Sequence, residues 1–260
     1  MIFNPYPYQQ YCIDSIIYNR AIGLFLDMGL GKTVITLSAI KDLRYNRWEV
    51  AKPLIIAPKK VAEATWTTEA AKWDHLKMMR VVPILGTGQQ RLRALATPAD
   101  AYVINRENVT WLVEHFKNAW PVDMVVLDES SSFKNSQSKR FKALRLVRSR
   151  IHRIVELTGT PSSNGLEDLW AQIYLLDGGA RLGKTLGAYR DRYFVPGKRN
   201  RTTIFSYDPK EGSFEMIKRA ISDICISMKA SDYLTLPDVI HNDIPVALDA
   251  AAKKAYAQFE

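Results

Sequence analysis

Asp27-Met28-Gly29-Leu30-Gly31-Lys32-Thr33 follows the apolar run 22–26 and opens a helical stretch that is apolar around most of its circumference (Val34, Ile35, Leu37, Ile40, Leu43). Strand, glycine-bearing loop and helix in that order are what a phosphate-binding loop requires. Glycines let successive backbone N–H groups curl around an anion, and the helix N-terminus adds its positive end. In this reading Met28, Gly29, Leu30, Gly31, Lys32 and Thr33 cradle the phosphates of ATP. Lys32 reaches the β- and γ-phosphates, and the Thr33 hydroxyl coordinates Mg2+. Leu26 stands where the general pattern has its first glycine, and the bland alternative is a glycine turn between strand and helix.

Outward from the loop, short apolar runs recur at 22–26, 54–57, 81–85, 101–104, 124–127 and 154–157. They are apolar throughout rather than alternating, as strands covered on both faces should be. Helix-like stretches lie between them at 32–44, 61–73, 106–118 and 138–149. This alternation predicts an α/β fold, a mostly parallel sheet with helices on both faces. After Leu176 the pattern breaks, and 177–212 reads as a basic, irregular insertion. A helix at 214–221, a strand at 224–228 and a last strand at 244–248 are expected to return to the core.

Gly178-Gly179-Ala180-Arg181-Leu182-Gly183-Lys184-Thr185 matches GxxxxGKT letter for letter. Yet a helix-like stretch, 169–176, precedes it instead of a strand, and 188–193 after it is too polar for a sheet-covering helix. Context marks it as a chance match. The strand at 122–127 ends in Asp128-Glu129. Asp128 can hold Mg2+, and Glu129 can orient and deprotonate an attacking water. Further on, Leu157-Thr158-Gly159-Thr160-Pro161 leaves another strand tip, where the Thr158 and Thr160 hydroxyls can reach the carboxylate pair and a nucleic-acid phosphate.

DMGLGKT, DESSSFKN and LTGTPSSN, in that order, resemble the superfamily-two helicases, most closely the Swi/Snf-like branch of double-stranded DNA translocases. The resemblance implies a RecA-like P-loop NTPase lobe and covers nearly the whole chain. It implies that Gln9, within YPYQQ, reads adenine. It assigns Lys59 and Lys60 to nucleic-acid phosphates, with Asn105 and Arg106 as further candidates. Two features depart from the family. Ser130-Ser131 replaces the last two letters of DEAH, and nothing resembles the second RecA-like lobe that carries the arginine finger. The expectation is therefore a first lobe at 1–248, with 249–260 beginning a linker toward a second lobe missing from this chain.

Charge agrees with a polyanionic partner. Lys plus Arg number 36 against 27 Asp plus Glu, a formal net charge of +9. The cations of 181–201 sit in a loop-like stretch and suit an accessory DNA grip. Trp66 and Trp73, seven apart, fall on one helical face and read as core anchors. Two cysteines, Cys12 and Cys225, are too few for a disulfide framework. No signal peptide is visible and no apolar run is long enough for a bilayer, so the expectation is a soluble intracellular protein without membrane contact. It would be cytoplasmic in a prokaryotic or viral setting, with a nuclear setting left open. The function expected is the ATP-binding lobe of a nucleic-acid-stimulated ATPase, a double-stranded DNA translocase or helicase, with weak hydrolysis in the lobe alone. The alternatives are a nucleotide- or DNA-binding module without motor activity, and an RNA helicase lobe.

Overall fold

The computed structural model describes residues 1–233 apart from 201 and 203, together with 249, 252, 253, 256 and 257. The six apolar runs become strands: β1 (Ala21–Leu26), β2 (Pro53–Ala57), β3 (Val81–Ile84), β4 (Ala101–Asn105), β5 (Met124–Asp128) and β6 (Arg153–Thr158). Between and around them run α1 (Pro7–Tyr18), α2 (Lys32–Lys41), α3 (Trp66–Lys72), α4 (Gly88–Ala96), α5 (Val109–Phe116), α6 (Lys139–Val147) and α7 (Leu169–Asp177). There follow α8 (Leu186–Tyr193), the hairpin strands β7 (Phe194–Pro196) and β8 (Tyr207–Pro209), α9 (Ser213–Ile221) and β9 (Cys225–Met228).

The sheet has seven strands in the order β3-β4-β2-β5-β6-β1-β9, and each neighbouring pair is parallel. Because successive side chains leave a strand on opposite sides, each strand feeds two cores. Leu24 and Leu26 of β1 join a buried cluster with Cys12, Ile35 and Trp66, whereas Phe25 joins another with Val109, Phe141 and Trp170. Helices α1, α2 and α3 thus cover one face, and α5 to α9 the other. Among the described residues no helix is long and apolar enough to cross a membrane.

Two expectations change in the structure. The stretch 106–118 opens with a 3-10 turn, Arg106–Asn108, before α5 begins. The insertion at 177–212 is less irregular than its composition suggests, because it holds α8 and the β7–β8 hairpin. Within this insertion Tyr189 and Tyr193, one helical turn apart, are 0% and 1% exposed and join the second core. Tyrosine rings supply the apolar face that aliphatic counting overlooks. The expected strand at 244–248 lies outside the described residues, as does most of 249–260.

Candidate nucleotide cleft and its surroundings

All the strand ends that carry candidate residues lie along one edge, since the strands are parallel. The loop after β1 turns through Gly29 and Gly31, at φ of 86° and 81°. A side chain at Gly31 would be strained by that φ, and its Cβ would also stand 2.7 Å from Gln9 Nε2. Leu26, in place of a first glycine, is fully buried as the last residue of β1. The Lys32 ammonium folds back over this strand end, donating to the Leu26 carbonyl at 2.7 Å and the Asp27 carbonyl at 3.1 Å. Burial lowers its pKa, and Glu129, Asp128 and Asp27 oppose that shift. The Asp27 carboxylate in turn accepts from the backbone N–H of Ala230, tying the loop to the segment after β9.

Gln9 sits in the first turn of α1, 7% exposed. Its Oε1 accepts from Tyr6 N–H at 3.0 Å, and its Nε2 donates to the Leu30 carbonyl at 3.4 Å. Met28 is 85% exposed and Leu30 is buried, so Leu30 can offer a ligand only its backbone.

Strand β5 delivers Asp128 to the same edge, and β6 lies between β5 and β1. The indole N–H of Trp66 donates to Asp128 Oδ2 at 3.0 Å. Burial pushes the Asp128 carboxyl up to about 6, against the lowering effect of that hydrogen bond; Glu129 adds to the rise and Lys32 opposes it. Glu129 has a left-handed φ of 54°, rare for a non-glycine residue, and such strain persists where the surroundings over-determine it. Gln9, Gly29, Gly31, Lys32, Thr33, Asp128 and Glu129 line one cleft of about 770 Å³, with Tyr6, Phe3 and Trp73 on its wall.

The remaining candidates divide. Lys59 and Lys60 are exposed just beyond β2, with Lys59 3.9 Å from Glu63. Thr160 is exposed at the tip of β6, but Thr158 is fully buried and its hydroxyl accepts from Thr160 N–H at 3.1 Å. Asn105 is turned inward at 7% exposure, donating to Glu107 and accepting from Asn108. Arg106 pairs with Glu107 at 3.0 Å. Asn105 and Thr158 therefore present no side chain to a docked nucleic acid.

The second GxxxxGKT stretch has its own anion. The Asp177 carboxylate accepts from the backbone N–H groups of Gly179, Ala180 and Arg181 at 2.7, 3.1 and 2.9 Å. Lys184 donates to the Gly178 carbonyl, and Thr185 caps α8 through Ala188 N–H. The turn is filled from within, and these three N–H groups are already engaged by a carboxylate.

Two residues escaped the sequence reading. Trp66 is a core anchor, as its spacing implied, but its N–H is aimed at the carboxylate pair across 62 residues of sequence. Gln172 is buried in α7, where one amide among Leu169, Trp170, Ala171 and Ile173 was the available signal.

Fold and cleft together define a RecA-like P-loop lobe. The sequence profile of the SNF2-related domain matches residues 17–259, and the chain belongs to that family. It is 37% identical over 268 residues to putative protein p41 of Acyrthosiphon pisum secondary endosymbiont phage 1, a match covering 99% of this chain and 57% of that protein. It is 32% identical over 169 residues to the ISWI chromatin-remodeling complex ATPase ISW2 of Saccharomyces cerevisiae, covering 62% of this chain and 14% of that one. The Sulfolobus solfataricus SWI2/SNF2 ATPase core in complex with dsDNA superposes with a TM-score of 0.68 at 23% identity, over 88% of this chain and 47% of that chain. At that identity the shared property is the fold. The chain spans little more than half the length of the phage protein. Family membership implies use of a nucleotide.

Proposed function

We propose that this chain is the ATP-binding lobe of a DNA-stimulated ATPase that tracks along double-stranded DNA. One observation carries the reading: Lys32, Thr33, Asp128 and Glu129, delivered by two different strands, line a single cleft with Gln9 at its side.

The Thr33 hydroxyl and the Asp128 carboxylate are hard oxygen donors. No group of three His, Cys, Asp or Glu among the described residues could hold an ion by itself. That sparse set fits Mg2+, which is usually held by one or two protein oxygens together with substrate phosphates. A carboxyl raised by burial also gains from a nearby cation. When bound, Mg2+ would neutralise charge on the phosphates. Lys32 would exchange its two backbone carbonyls for phosphate oxygens, and Glu129 would orient water and accept its proton. Gln9 would meet the adenine edge.

DNA would lie along the same sheet edge, gripped at phosphates by Lys59, Lys60 and the Thr160 hydroxyl. Such contacts position a duplex without reading its sequence. Lys198 and Arg199, between β7 and β8, are exposed and add an accessory grip. A second lobe closing across the cleft would supply the arginine that stabilises the transferring phosphoryl group, an effect worth roughly 10³–10⁵ in rate. On this reading residues 1–248 form the first lobe.

The test is ATP hydrolysis by the 260-residue chain with and without duplex DNA, with Lys32→Ala as control. Nucleotide binding with little turnover agrees with a single lobe. Fast turnover that depends on Lys32 and scales linearly with dilute protein contradicts it. Competition between duplex DNA and RNA for the chain separates the DNA reading from an RNA helicase lobe.

A further inference from the structure

Gln172 is fully buried on a helix whose neighbouring side chains are apolar. An amide in such a place is costly unless its groups are paired, and a leucine would fill the same volume without that demand. Its groups are paired. Gln172 Oε1 accepts from the Ser130 hydroxyl at 2.9 Å. Its Nε2 donates to the Pro161 carbonyl at 2.6 Å and to the Asp168 carbonyl at 2.9 Å. The amide orientation follows from chemistry, because the reverse would set its oxygen against two carbonyl oxygens.

The three partners come from two stretches of chain. Ser130 directly follows the strained Glu129, whereas Pro161 and Asp168 both belong to the loop that leaves β6, Asp168 at its junction with α7. A second tie joins the same stretches: Lys134 Nζ donates to Ser163 Oγ at 2.9 Å and to Asp168 Oδ2 at 3.0 Å. Asp168 Oδ2 also accepts from Asn164 N–H at 2.8 Å. The loop 158–168 is thus held to the segment that carries Asp128 and Glu129 at both its ends. Gly159 presses against β1 as well, where a Cβ would lie 3.3 Å from the Leu26 carbonyl oxygen, the atom that takes the Lys32 ammonium.

We propose that Gln172 is a positioning residue whose bridge from Ser130 to Pro161 makes the loop 158–168 respond when nucleotide enters the cleft. This rests on the reading of the cleft as an ATP site. Filling the cleft draws Lys32 from Leu26 and loads the Asp128–Glu129 segment. The buried bridge carries that displacement to the exposed Thr160, because a fully paired amide in an apolar core cannot slip without losing hydrogen bonds.

Amide hydrogen exchange on the whole chain, with and without a non-hydrolysable ATP analogue and Mg2+, tests it. In the wild type, nucleotide should slow exchange in peptides spanning 27–36 and 158–168. In Gln172→Leu, slowing at 27–36 should persist at unchanged nucleotide affinity, while slowing at 158–168 is lost. Ser130→Ala, which removes a single hydrogen bond, repeats the test if Gln172→Leu folds poorly. A merely structural role would lower melting temperature or raise basal exchange and leave the nucleotide-dependent difference intact. Variants that keep the wild-type response at 158–168, or a wild type that responds only at 27–36, overturn the proposal. A wild type with no response at 27–36 overturns the ATP-site reading itself, and the proposal falls with it.

Discussion

Trp66 and Asp128 meet through a hydrogen bond from the indole N–H to Oδ2 at 3.0 Å, joining the helix after β2 to the tip of β5. Trp66 is 1% exposed, so packing fixes its ring and the ring fixes the carboxylate. Asp128 is thus held in place at the wall of the cleft it lines. Trp66→Phe keeps most of the packing but removes the donor. Hydrogen bonds to charged groups contribute about 1.5–3 kcal/mol, so affinity for ATP with Mg2+ should fall by roughly tenfold or more. A titration of nucleotide at fixed Mg2+ checks this, and unchanged affinity would deny Trp66 a role at the site.

Gly31→Ala combines a backbone strained at φ 81° with a Cβ 2.7 Å from Gln9 Nε2. The strain alone should cost about 1–3 kcal/mol. Adding Gln9→Ala makes space but cannot relieve the φ, so the double variant should regain only part of the melting temperature. Full recovery would show that the clash with Gln9 was the whole cost.

Lys184→Ala should leave nucleotide binding unchanged, because the turn it belongs to is occupied by Asp177. Asp177→Ala should destabilise the fold by about 2–3 kcal/mol, since three backbone N–H groups lose a charged acceptor. Denaturant melts and nucleotide titrations of the two variants separate a structural turn from a second nucleotide site.

Glu156, in the middle of the sheet, is completely buried, and neither carboxyl oxygen has a hydrogen-bond partner among the described residues. Burial pushes its carboxyl well above the ordinary 4.5, with Ser130 and Arg148 acting the other way. The folded state therefore holds its proton more tightly than the unfolded chain. Below about pH 4.5 both states are protonated and the fold bears no penalty. As pH climbs above that value the unfolded chain releases the proton first, and stability falls by about 1.4 kcal/mol per pH unit until the folded group also ionises. Glu156→Gln should flatten this slope, gaining on the wild type as pH rises above about 4.5. Parallel slopes for the two proteins would show that Glu156 ionises freely in the fold.

The parts legible in the sequence were those encoded locally. A strand, glycine loop and helix follow one another over 21–41 around Lys32, and each strand that ends in chemistry is a continuous apolar run. Parallel strands then carry Gly31, Asp128 and Thr160 to one edge without further information. What stayed hidden depends on contacts between distant segments. Nothing near Trp66 reveals that its N–H points at Asp128, and nothing near Ser130 names Gln172. Asn105 and Thr158 looked available because they follow strands, but local hydrogen bonds turn them inward. The burial of Tyr189 and Tyr193 was not legible locally, because charged residues stand between them.

An ATP site in this cleft requires that the chain itself bind nucleotide. Calorimetric titration of ATP with Mg2+ into the wild type and Lys32→Ala, at matched melting temperature, is the decisive measurement. Saturable one-site binding is expected of the wild type, weakened by roughly 10–100-fold in the variant, as for losing charge-assisted hydrogen bonds to phosphate. Equal binding by both proteins, or none by the wild type, would contradict the assignment of the cleft.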